Sequence, residues 1–334
     1  MNLKHTLSGL LSLLFTALFV LVFSNGVFAN LNDPLPSWHN TATKSAIIDF
    51  VQKISQKDSK DYVPPQERIA TFDNDGTLWA EKPIYPQLQF AIDMAKKQAQ
   101  SHPELKEQEP FKSALDGHVE NILAQGPRGT LELIVRTHTG MTSDEFNQSV
   151  KDWLAQAKHP RFNKLYPQLV YKPMLELLQY MRDNGFKTYI VSGGGVDFIR
   201  PWTEATYGIP PEQVIASSVK CVYEIKDGKP LIKRLPEIQN IVEKNGKPLA
   251  INATIGRHPI ASFGNSDGDL EMLQWTQNGS KPTLKVLVHH TDGEREWQYD
   301  RESKVGHLDK ALDEAKANGW TLVDMKNDWK QIFP

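Results

Sequence analysis

Two carboxylates two residues apart, Asp73 and Asp75, directly follow an apolar stretch that ends at Phe72. Buried charges are costly unless they are neutralised, and a divalent cation such as Mg²⁺, which prefers oxygen ligands, would neutralise this pair. Beside such a cation, the Asp73 carboxylate can attack phosphorus and form an acyl-phosphate. The Asp75 carboxyl can protonate the leaving oxygen and then deprotonate water. A polar turn is the competing interpretation, because Asp, Asn and Gly are common turn residues.

A second acidic stretch, residues 264–269, reads Gly-Asn-Ser-Asp-Gly-Asp. A calcium loop beginning at Asn265 would need Gly at its sixth position and Glu at its twelfth, but Leu270 and Thr276 stand there. A plain surface turn is the other simple interpretation. As a second cluster of oxygen ligands, the stretch would complete a cation site with Asp73. The candidate metal ligands in it are Asn265, Asp267 and Asp269.

A third polar stretch consists of Ser192 followed by Gly193, Gly194 and Gly195. A hydroxyl and open backbone N–H groups can hold phosphate oxygens, especially just before a helix begins. A strand-to-helix turn that binds nothing explains the glycines equally well. We take Ser192, Gly193 and Gly194 as candidate phosphate-binding residues.

A lysine at a helix entrance could neutralise both a phosphate and Asp73. Lys247 has this position, because Pro248 suits the first turn of a helix predicted over Pro248–Ile255. Lys244 is a rival for the same role. Most lysines are solvated, so this assignment depends on the three polar stretches coming together.

The elements that must position these residues alternate between strands and helices. The predicted strands are Arg68–Phe72, Lys187–Val191, Val214–Ser218, Ile260–Phe263 and Leu284–His290, with a hairpin from Cys221–Ile225 through Asp227-Gly228 to Leu231–Leu235. The helices predicted beside them are Thr43–Ile54, Met174–Asn184, Asp197–Tyr207, Pro248–Ile255 and Leu308–Ala317. This alternation indicates an α/β fold with a doubly wound parallel sheet. Ligands of such sheets bind at the carboxyl ends of the strands, where the three polar stretches lie.

Residues 81–165 contain no strand pattern and are rich in Gln, Lys and Glu. Helices are predicted there at Gln87–Gln100, Ala114–Ala124, Gly129–Thr137 and Ser143–Ala157. The segment is too long to be a simple loop and is predicted to be a helical insertion. The remaining segments, residues 30–80 and 166–334, are predicted to form the α/β core.

The total composition excludes several functional classes. The 334 residues carry 38 basic and 40 acidic side chains, a net charge of −2, which gives no electrostatic reason to bind nucleic acid. Cys221 is the only cysteine, so intrachain disulfides, multi-cysteine zinc sites and Cys-x-x-Cys redox centres are excluded.

The first 29 residues have the pattern of a secretory signal peptide. Lys4 and His5 give a basic start, the run Leu10–Phe23 is mostly apolar, and small residues at Val27 and Ala29 fit a cleavage site. The apolar run of about 14 residues is short of the roughly 20 that a spanning helix needs. We expect cleavage after Ala29 and a periplasmic or secreted protein without stable membrane association; an uncleaved anchor is the alternative.

Together, the motifs resemble those of the haloacid dehalogenase superfamily of phosphohydrolases, near its phosphoserine phosphatase-like and acid phosphatase-like members. Asp73–Leu78 matches the DxDGT(L/V) nucleophile motif, Val191–Gly194 the second motif, and Gly264–Asp269 the acidic fourth motif, while Lys247 stands where the lysine of the third motif is expected. The resemblance covers about residues 66–290. It implies a Rossmann-like core, with residues 81–165 as a helical cap over the site.

The resemblance also implies roles for individual residues. Asp73 would be the nucleophile and a Mg²⁺ ligand, and Asp75 the acid/base whose backbone carbonyl also binds the metal. Ser192 and Lys247 would hold the phosphoryl group, and Thr77 of the first motif is assigned to the substrate site. The implied activity is hydrolysis of a small phosphomonoester through an aspartyl-phosphate, with Mg²⁺ as the cofactor.

One residue departs from the superfamily pattern. Asn265 stands where Asp is usual, and its neutral amide oxygen is a weaker ligand, so Asp267 or Asp269 could take over. Because of this departure, a secreted binding protein that keeps the fold but has little or no activity is an alternative function. Phosphonate hydrolysis or phosphoryl transfer by another superfamily member is a further alternative.

Five residues outside the motifs have weaker functional hypotheses. They are His289 and His290 at a strand end, Trp79 after the nucleophile motif, and Arg136 and His138 in the helical insertion. Each has an equally simple explanation as a solvated or packed side chain.

Overall fold

A largely parallel β-sheet lies at the centre of the protein, whose computed structural model describes residues 33–125 and 127–334. Within them, eight strands form the sheet: β1 (Ile69–Phe72), β2 (Lys187–Gly195), β3 (Val214–Lys226), β4 (Lys229–Asn240), β5 (Ala261–Gly264), β6 (Leu284–Thr291), β7 (Gln298–Tyr299) and β8 (Thr321–Asp324). The order across the sheet is β4-β3-β2-β1-β5-β6-β7, and β8 also pairs with β6. Only β4 and β7 run antiparallel to their neighbours.

The sheet reverses its direction of growth between β1 and β5. From β1 the chain adds β2 and β3 on one side, and it later adds β5, β6 and β8 on the other. In doubly wound sheets, ligands bind beyond the carboxyl ends of the strands at such a switch point. Phe72 pairs with Phe263 across it, so the stretches that begin with Asp73 and with Gly264-Asn265 emerge side by side. The prediction of a doubly wound, Rossmann-like α/β sheet is confirmed.

Twelve α-helices accompany the strands in the described part of the chain. They are α1 (Ala42–Ser55), α2 (Pro86–Ser101), α3 (Phe111–Leu115), α4 (Val119–Ala124), α5 (Pro127–His138), α6 (Ser143–Leu154), α7 (Lys172–Asp183), α8 (Val196–Tyr207), α9 (Gly246–Ile255), α10 (Leu270–Trp275), α11 (Lys310–Ala317) and α12 (Met325–Asp328). Most predicted helices are confirmed to within a few residues. The single helix predicted over Ala114–Ala124 is wrong: Gly117 adopts a positive φ of 79° between α3 and α4, which an α-helix cannot continue through.

The third strand is longer than the sequence pattern predicts. The predicted strand Val214–Ser218 and the first arm of the predicted hairpin are one continuous strand, β3, which turns at Asp227-Gly228 into β4. The inner end of β3 pairs with β2, and its outer end forms a two-stranded ribbon with β4. Arg234 of the ribbon donates a hydrogen bond to the carbonyl of His138 in α5. Cys221 lies exposed on this ribbon.

Residues 81–165 contain five helices, α2 to α6, and no named strand in their described part. Some of their apolar side chains, including Leu88, Phe111 and Leu133, form a cluster of their own, whereas Phe90 and Phe146 belong to the main core. Residues 35–334 together form one compact unit. No helix among the described residues combines the length and the apolar character needed to cross a lipid bilayer. The predicted signal peptide lies outside the described residues.

Candidate active site

The first acidic stretch directly follows β1, a strand that is buried in the apolar core. All four residues of β1 are buried, and the ring of Phe72 stacks on Phe263 of β5 with centroids 4.3 Å apart. The backbone N–H of Asp73 donates to the carbonyl of Phe263 at 2.9 Å. Gly76 then adopts a positive φ of 74°, which glycine tolerates best, and turns the chain back over the strand end. The buried strand therefore delivers the Asp73 carboxylate to the switch point.

Lys247 joins Asp73 to the second acidic stretch. Its Nζ lies 2.6 Å from Oδ1 of Asp73, 2.6 Å from Oδ1 of Asp269 and 2.8 Å from the carbonyl oxygen of Val191. Its side chain is only 1% exposed. Burial alone would lower the pKa of Lys247, but the carboxylates of Asp269 and Asp73 outweigh it and raise that pKa. The amine therefore stays protonated between the two carboxylates.

The Asp75 carboxyl has a different environment from that of Asp73. Burial raises the pKa of Asp75 to about 6, although a hydrogen bond from the Trp79 indole opposes the shift. That bond joins Nε1 of Trp79 to Oδ1 of Asp75 at 2.7 Å. Trp79 itself is fully buried and packs against Trp202. A carboxyl with a pKa near 6 can both donate and accept a proton at neutral pH.

Asn265 contacts the first stretch through its amide. Its Oδ1 accepts a hydrogen bond from the Thr77 hydroxyl at 3.1 Å, and its Nδ2 donates to Oε1 of Glu81 at 2.8 Å. Tyr299 of β7 donates its hydroxyl to the same Glu81 oxygen at 2.7 Å. Burial raises the pKa of Glu81 to about 7, against the opposing charge of His290.

The two other acidic residues of the second stretch have separate tasks. Asp267 accepts hydrogen bonds at 2.9–3.2 Å from the backbone N–H groups of Asp309, Lys310 and Ala311, where α11 begins. Asp269 uses Oδ1 for Lys247 and Oδ2 for the loop that contains Asn265. Both carboxylates are therefore engaged by other groups, and Asn265 presents its oxygen beside the first stretch.

Ser192 lies buried near the end of β2, which continues through the glycines to Gly195 instead of ending at Val191. Its Oγ accepts a hydrogen bond from the Gly194 N–H at 3.1 Å. Gly195 donates its N–H to Oε1 of Gln87 in α2 at 2.7 Å. A Cβ on Gly195 would lie 2.7 Å from the end of the Gln87 side chain, so Gln87 packs closely against this glycine. The first helix of residues 81–165 thus packs directly on this strand end.

The other residues with functional hypotheses from the sequence lie outside this group of contacts or behind it. Lys244, the rival of Lys247, is exposed. His290 is buried and contacts the carbonyl of Gly76 at 2.8 Å, so it supports the loop after Asp73, whereas His289 faces Asp300. Arg136 is directed to the carbonyl of Glu109 and away from the strand ends.

A cavity of about 60 Å³ lies beside the glycine end of β2. Its wall is mostly apolar and includes Phe146 of α6. Arg234 and Asp197 form a salt bridge in the wall, and the Arg234 side chain is 4% exposed. Burial lowers the pKa of His138 to about 3, and its buried Nε2 has no hydrogen-bond partner among the described residues. A neutral imidazole therefore borders this cavity.

Glu81, Gln87 and Tyr299 are site residues that sequence reasoning missed. Glu81 and Gln87 were included in the helical insertion, and Tyr299 lies in a strand of two residues that has no periodicity. The only signal for Glu81 was an acidic residue soon after an apolar Leu-Trp-Ala run. Its role depends on contacts across more than 180 positions of the chain, which no local pattern contains.

The donors at the switch point suit a hard cation. No group of three or more His, Cys, Asp or Glu side chains in the described ranges is placed to hold a metal. Mg²⁺, however, is commonly held by one or two carboxylates, with waters and substrate phosphate completing its shell. The Asp73 carboxylate, the Asp75 carbonyl and the Asn265 amide oxygen are all hard oxygen donors, so the residues fit Mg²⁺.

Comparison with known proteins agrees with this arrangement. The model of the protein family described as haloacid dehalogenase-like hydrolase matches residues 70–274, more than half of the chain. The chain belongs to the haloacid dehalogenase-like hydrolase family. The matched range begins in β1 and ends in α10, so it includes all three polar strand ends of this hydrolase.

Solved structures show the same fold for this haloacid dehalogenase-like hydrolase. A protein of unknown function from Bordetella pertussis Tohama I is 16% identical, with a TM-score of 0.50, covering 78% of this chain and 99% of that one. A conserved, functionally unknown protein from Anaerococcus prevotii DSM 20548 is 17% identical, with a TM-score of 0.53, covering 82% of this chain and 88% of that one. No curated protein gives a significant sequence match.

Proposed function

We propose that this hydrolase is a Mg²⁺-dependent phosphatase that acts on small phosphomonoesters through an aspartyl-phosphate. The observation that carries the proposal is the buried Lys247 amine, 2.6 Å from both Asp73 and Asp269. An ammonium group fixed against a carboxylate at a strand end can hold that carboxylate in place and attract a phosphoryl group to it. Ser192 and the N–H groups of the adjacent glycines supply further donors for phosphate oxygens.

The residues support a two-step reaction. A carboxylate oxygen of Asp73 attacks phosphorus, and the bond from phosphorus to the leaving oxygen breaks as Asp75 gives that oxygen its proton. Asp75, now ionised, then removes a proton from water, whose oxygen attacks the aspartyl-phosphate. Inorganic phosphate leaves and the Asp73 carboxylate is regenerated. The pKa of about 6 suits Asp75 to both proton transfers.

Asp73, the backbone carbonyl of Asp75 and the amide oxygen of Asn265 would hold Mg²⁺. When bound, the cation would neutralise charge on the phosphoryl group and polarise one of its oxygens. Asp267 and Asp269 are left out of this set because hydrogen bonds already engage both oxygens of each carboxylate, whereas Lys247 contacts only Oδ1 of Asp73. The signal-like residues 1–29 lead us to propose that the reaction takes place in the periplasm or outside the cell.

Phosphate release from p-nitrophenyl phosphate tests the proposal. We expect activity with Mg²⁺, loss of activity with EDTA, and a decrease of at least about a thousandfold in kcat for Asp73→Asn. Asp58→Asn, the same change at an exposed aspartate, is the matched control and should leave kcat unchanged. Full activity in Asp73→Asn would rule out Asp73 as the nucleophile.

A fold-retaining binding protein with little turnover is the second candidate, and the neutral Asn265 favours it. Beryllium fluoride with Mg²⁺ mimics the aspartyl-phosphate and separates the two functions. A phosphatase should show a clear rise in melting temperature with both reagents together, and Asp73→Asn should abolish that rise. No shift in the wild-type protein, together with no phosphate release, would favour the binding protein.

A further inference from the structure

The orientation of the Asn265 amide is set by Glu81. An ionised carboxylate oxygen can only accept hydrogen bonds, so with Glu81 ionised the Asn265 nitrogen faces Oε1 of Glu81, 2.8 Å away. The amide oxygen consequently faces the Thr77 hydroxyl and the loop after Asp73. Without Glu81, the two ends of the amide would have similar partners, and either could face the loop.

The Glu81–Asn265 pair is fixed between two glycines. A Cβ on Gly76 would lie 2.1 Å from Nδ2 of Asn265, and a Cβ on Gly306 would lie 2.0 Å from Oε1 of Glu81. Tyr299 donates to the same Glu81 oxygen, and Glu81 is only 2% exposed. The backbone therefore approaches the pair closely on both sides, at places where any side chain other than hydrogen would displace it.

The same contact explains why an amide stands at position 265. An aspartate there would place a second carboxylate about 2.8 Å from Glu81, and two carboxylates so close cannot both remain ionised. The two positions hold one carboxylate and one amide between them. In this chain the carboxylate is at position 81, one hydrogen bond away from the ligand position.

We propose that Glu81 is a positioning residue for the cation: it directs the Asn265 oxygen toward the metal and supplies, through the amide, the negative charge that Asn265 lacks. Groups that hydrogen-bond to a metal ligand commonly orient it and strengthen its binding in this way. The inference rests on the proposed function, because it requires a cation beside Asp73 and Asn265. It predicts that exchanging the carboxyl group and the amide group between positions 81 and 265 preserves cation binding.

Isothermal titration of the purified metal-free protein with MgCl₂ at about pH 8.5, where Glu81 is ionised, tests the exchange. Glu81→Gln keeps an acceptor for Asn265 but removes the charge, and we expect Mg²⁺ affinity to fall about 10- to 100-fold. Asn265→Asp should also weaken binding, because the added carboxylate faces Glu81. The double variant Glu81→Gln/Asn265→Asp restores one charge and reverses the hydrogen bond, so its affinity should return to within about threefold of wild type.

Glu67→Gln, the same change at an exposed glutamate outside the site, is the matched control. Its Mg²⁺ affinity should stay near wild type. The inference is overturned if Glu81→Gln binds Mg²⁺ as wild type does, or if the double variant binds no better than the weaker single variant. If Glu81→Gln lowers the melting temperature equally with and without Mg²⁺ and leaves the Mg²⁺ affinity unchanged, Glu81 has only a structural role.

The wild-type titration separates this inference from the proposed function. If the wild-type protein binds no Mg²⁺, both the proposed cation and the role of Glu81 are wrong. If wild type binds Mg²⁺ and releases phosphate but the exchange has no effect, only the role of Glu81 is wrong. Glu81→Gln and the double variant decide the question even if Asn265→Asp alone does not fold.

Discussion

Lys247 and Asp73 form an ion pair 2.6 Å long at the switch point of the sheet, and the lysine side chain is 1% exposed. The pair spans 174 positions of the chain and joins the strand β1 to the helix α9. The same ammonium group also pairs with Asp269, so a single lysine lies between two buried carboxylates. With both carboxylates ionised, one negative charge is left for a divalent cation to neutralise.

Replacing Lys247 with Met should destabilise the fold as well as the reaction. Without the amine, Asp73 and Asp269 are left as buried carboxylates with no opposite charge between them, a change that typically costs about 3–5 kcal/mol. We expect the free energy of unfolding of Lys247→Met to fall by this amount in urea denaturation with EDTA. Adding Mg²⁺ should restore part of it. Lys244→Met, at an exposed position three residues away, should change it by less than about 0.5 kcal/mol. Similar stabilities for the two variants would contradict the pairing.

The Asp75–Trp79 hydrogen bond should be visible in the pH profile. In the proposed reaction Asp75 carries a proton in the first step, so kcat/KM for an alkyl phosphomonoester should fall as pH rises above about 6. The Trp79 indole stabilises the ionised carboxylate and lowers the pKa of Asp75. Trp79→Phe removes that bond, so the falling limb should move to higher pH. A limb that does not move would show that another group controls it.

Glu81 should make the stability of the metal-free protein depend on pH. Its pKa is raised from 4.5 to about 7 by burial, so the folded protein holds the proton that the unfolded chain releases. Its contribution is fully present below pH 4.5 and is lost as pH rises to 7, a loss of about 3 kcal/mol. In EDTA, Glu81→Gln should decrease the slope of unfolding free energy against pH over this range. An unchanged slope would contradict the assignment.

Asp267 provides a test of which acidic residue binds the cation. Its carboxylate accepts three backbone N–H groups where α11 begins. Asp267→Ala should therefore lower the unfolding free energy by about 1–2 kcal/mol, as loss of a helix cap does. Mg²⁺ affinity, measured by titration, should stay within about twofold of wild type. A tenfold loss of affinity at unchanged stability would instead make Asp267 a ligand.

Elements with strong local patterns could be predicted from the sequence. The buried strand before Asp73, the amphipathic helix at Met174–Asn184 and the parallel sheet were all predictable, because their apolar spacing is a property of neighbouring residues. The three polar strand ends followed from the same reasoning, since parallel strands end at one edge. The roles assigned to their residues remain predictions until the variants are measured.

Features that depend on distant contacts could not be predicted. The strand β3 runs on through Ser218 because β4 pairs with its outer half, whereas its own sequence changes from apolar to mixed. β8 is short and half-buried, and its pairing with β6 decides its place. Glu81 has a role only because Asn265 and Tyr299 arrive from other parts of the chain.

The exposed Cys221 on the ribbon makes this protein convenient for spectroscopy. Burial of part of its side chain raises the pKa of the thiol, although a hydrogen bond with Ser143 of α6 opposes this shift. The thiol is the chain's only one, so a maleimide fluorophore would attach at a single, known place without any engineered substitution. Such a label would stand at the boundary between the ribbon and the helices of residues 81–165. Its emission would report in real time whether these helices shift as substrate enters and phosphate leaves.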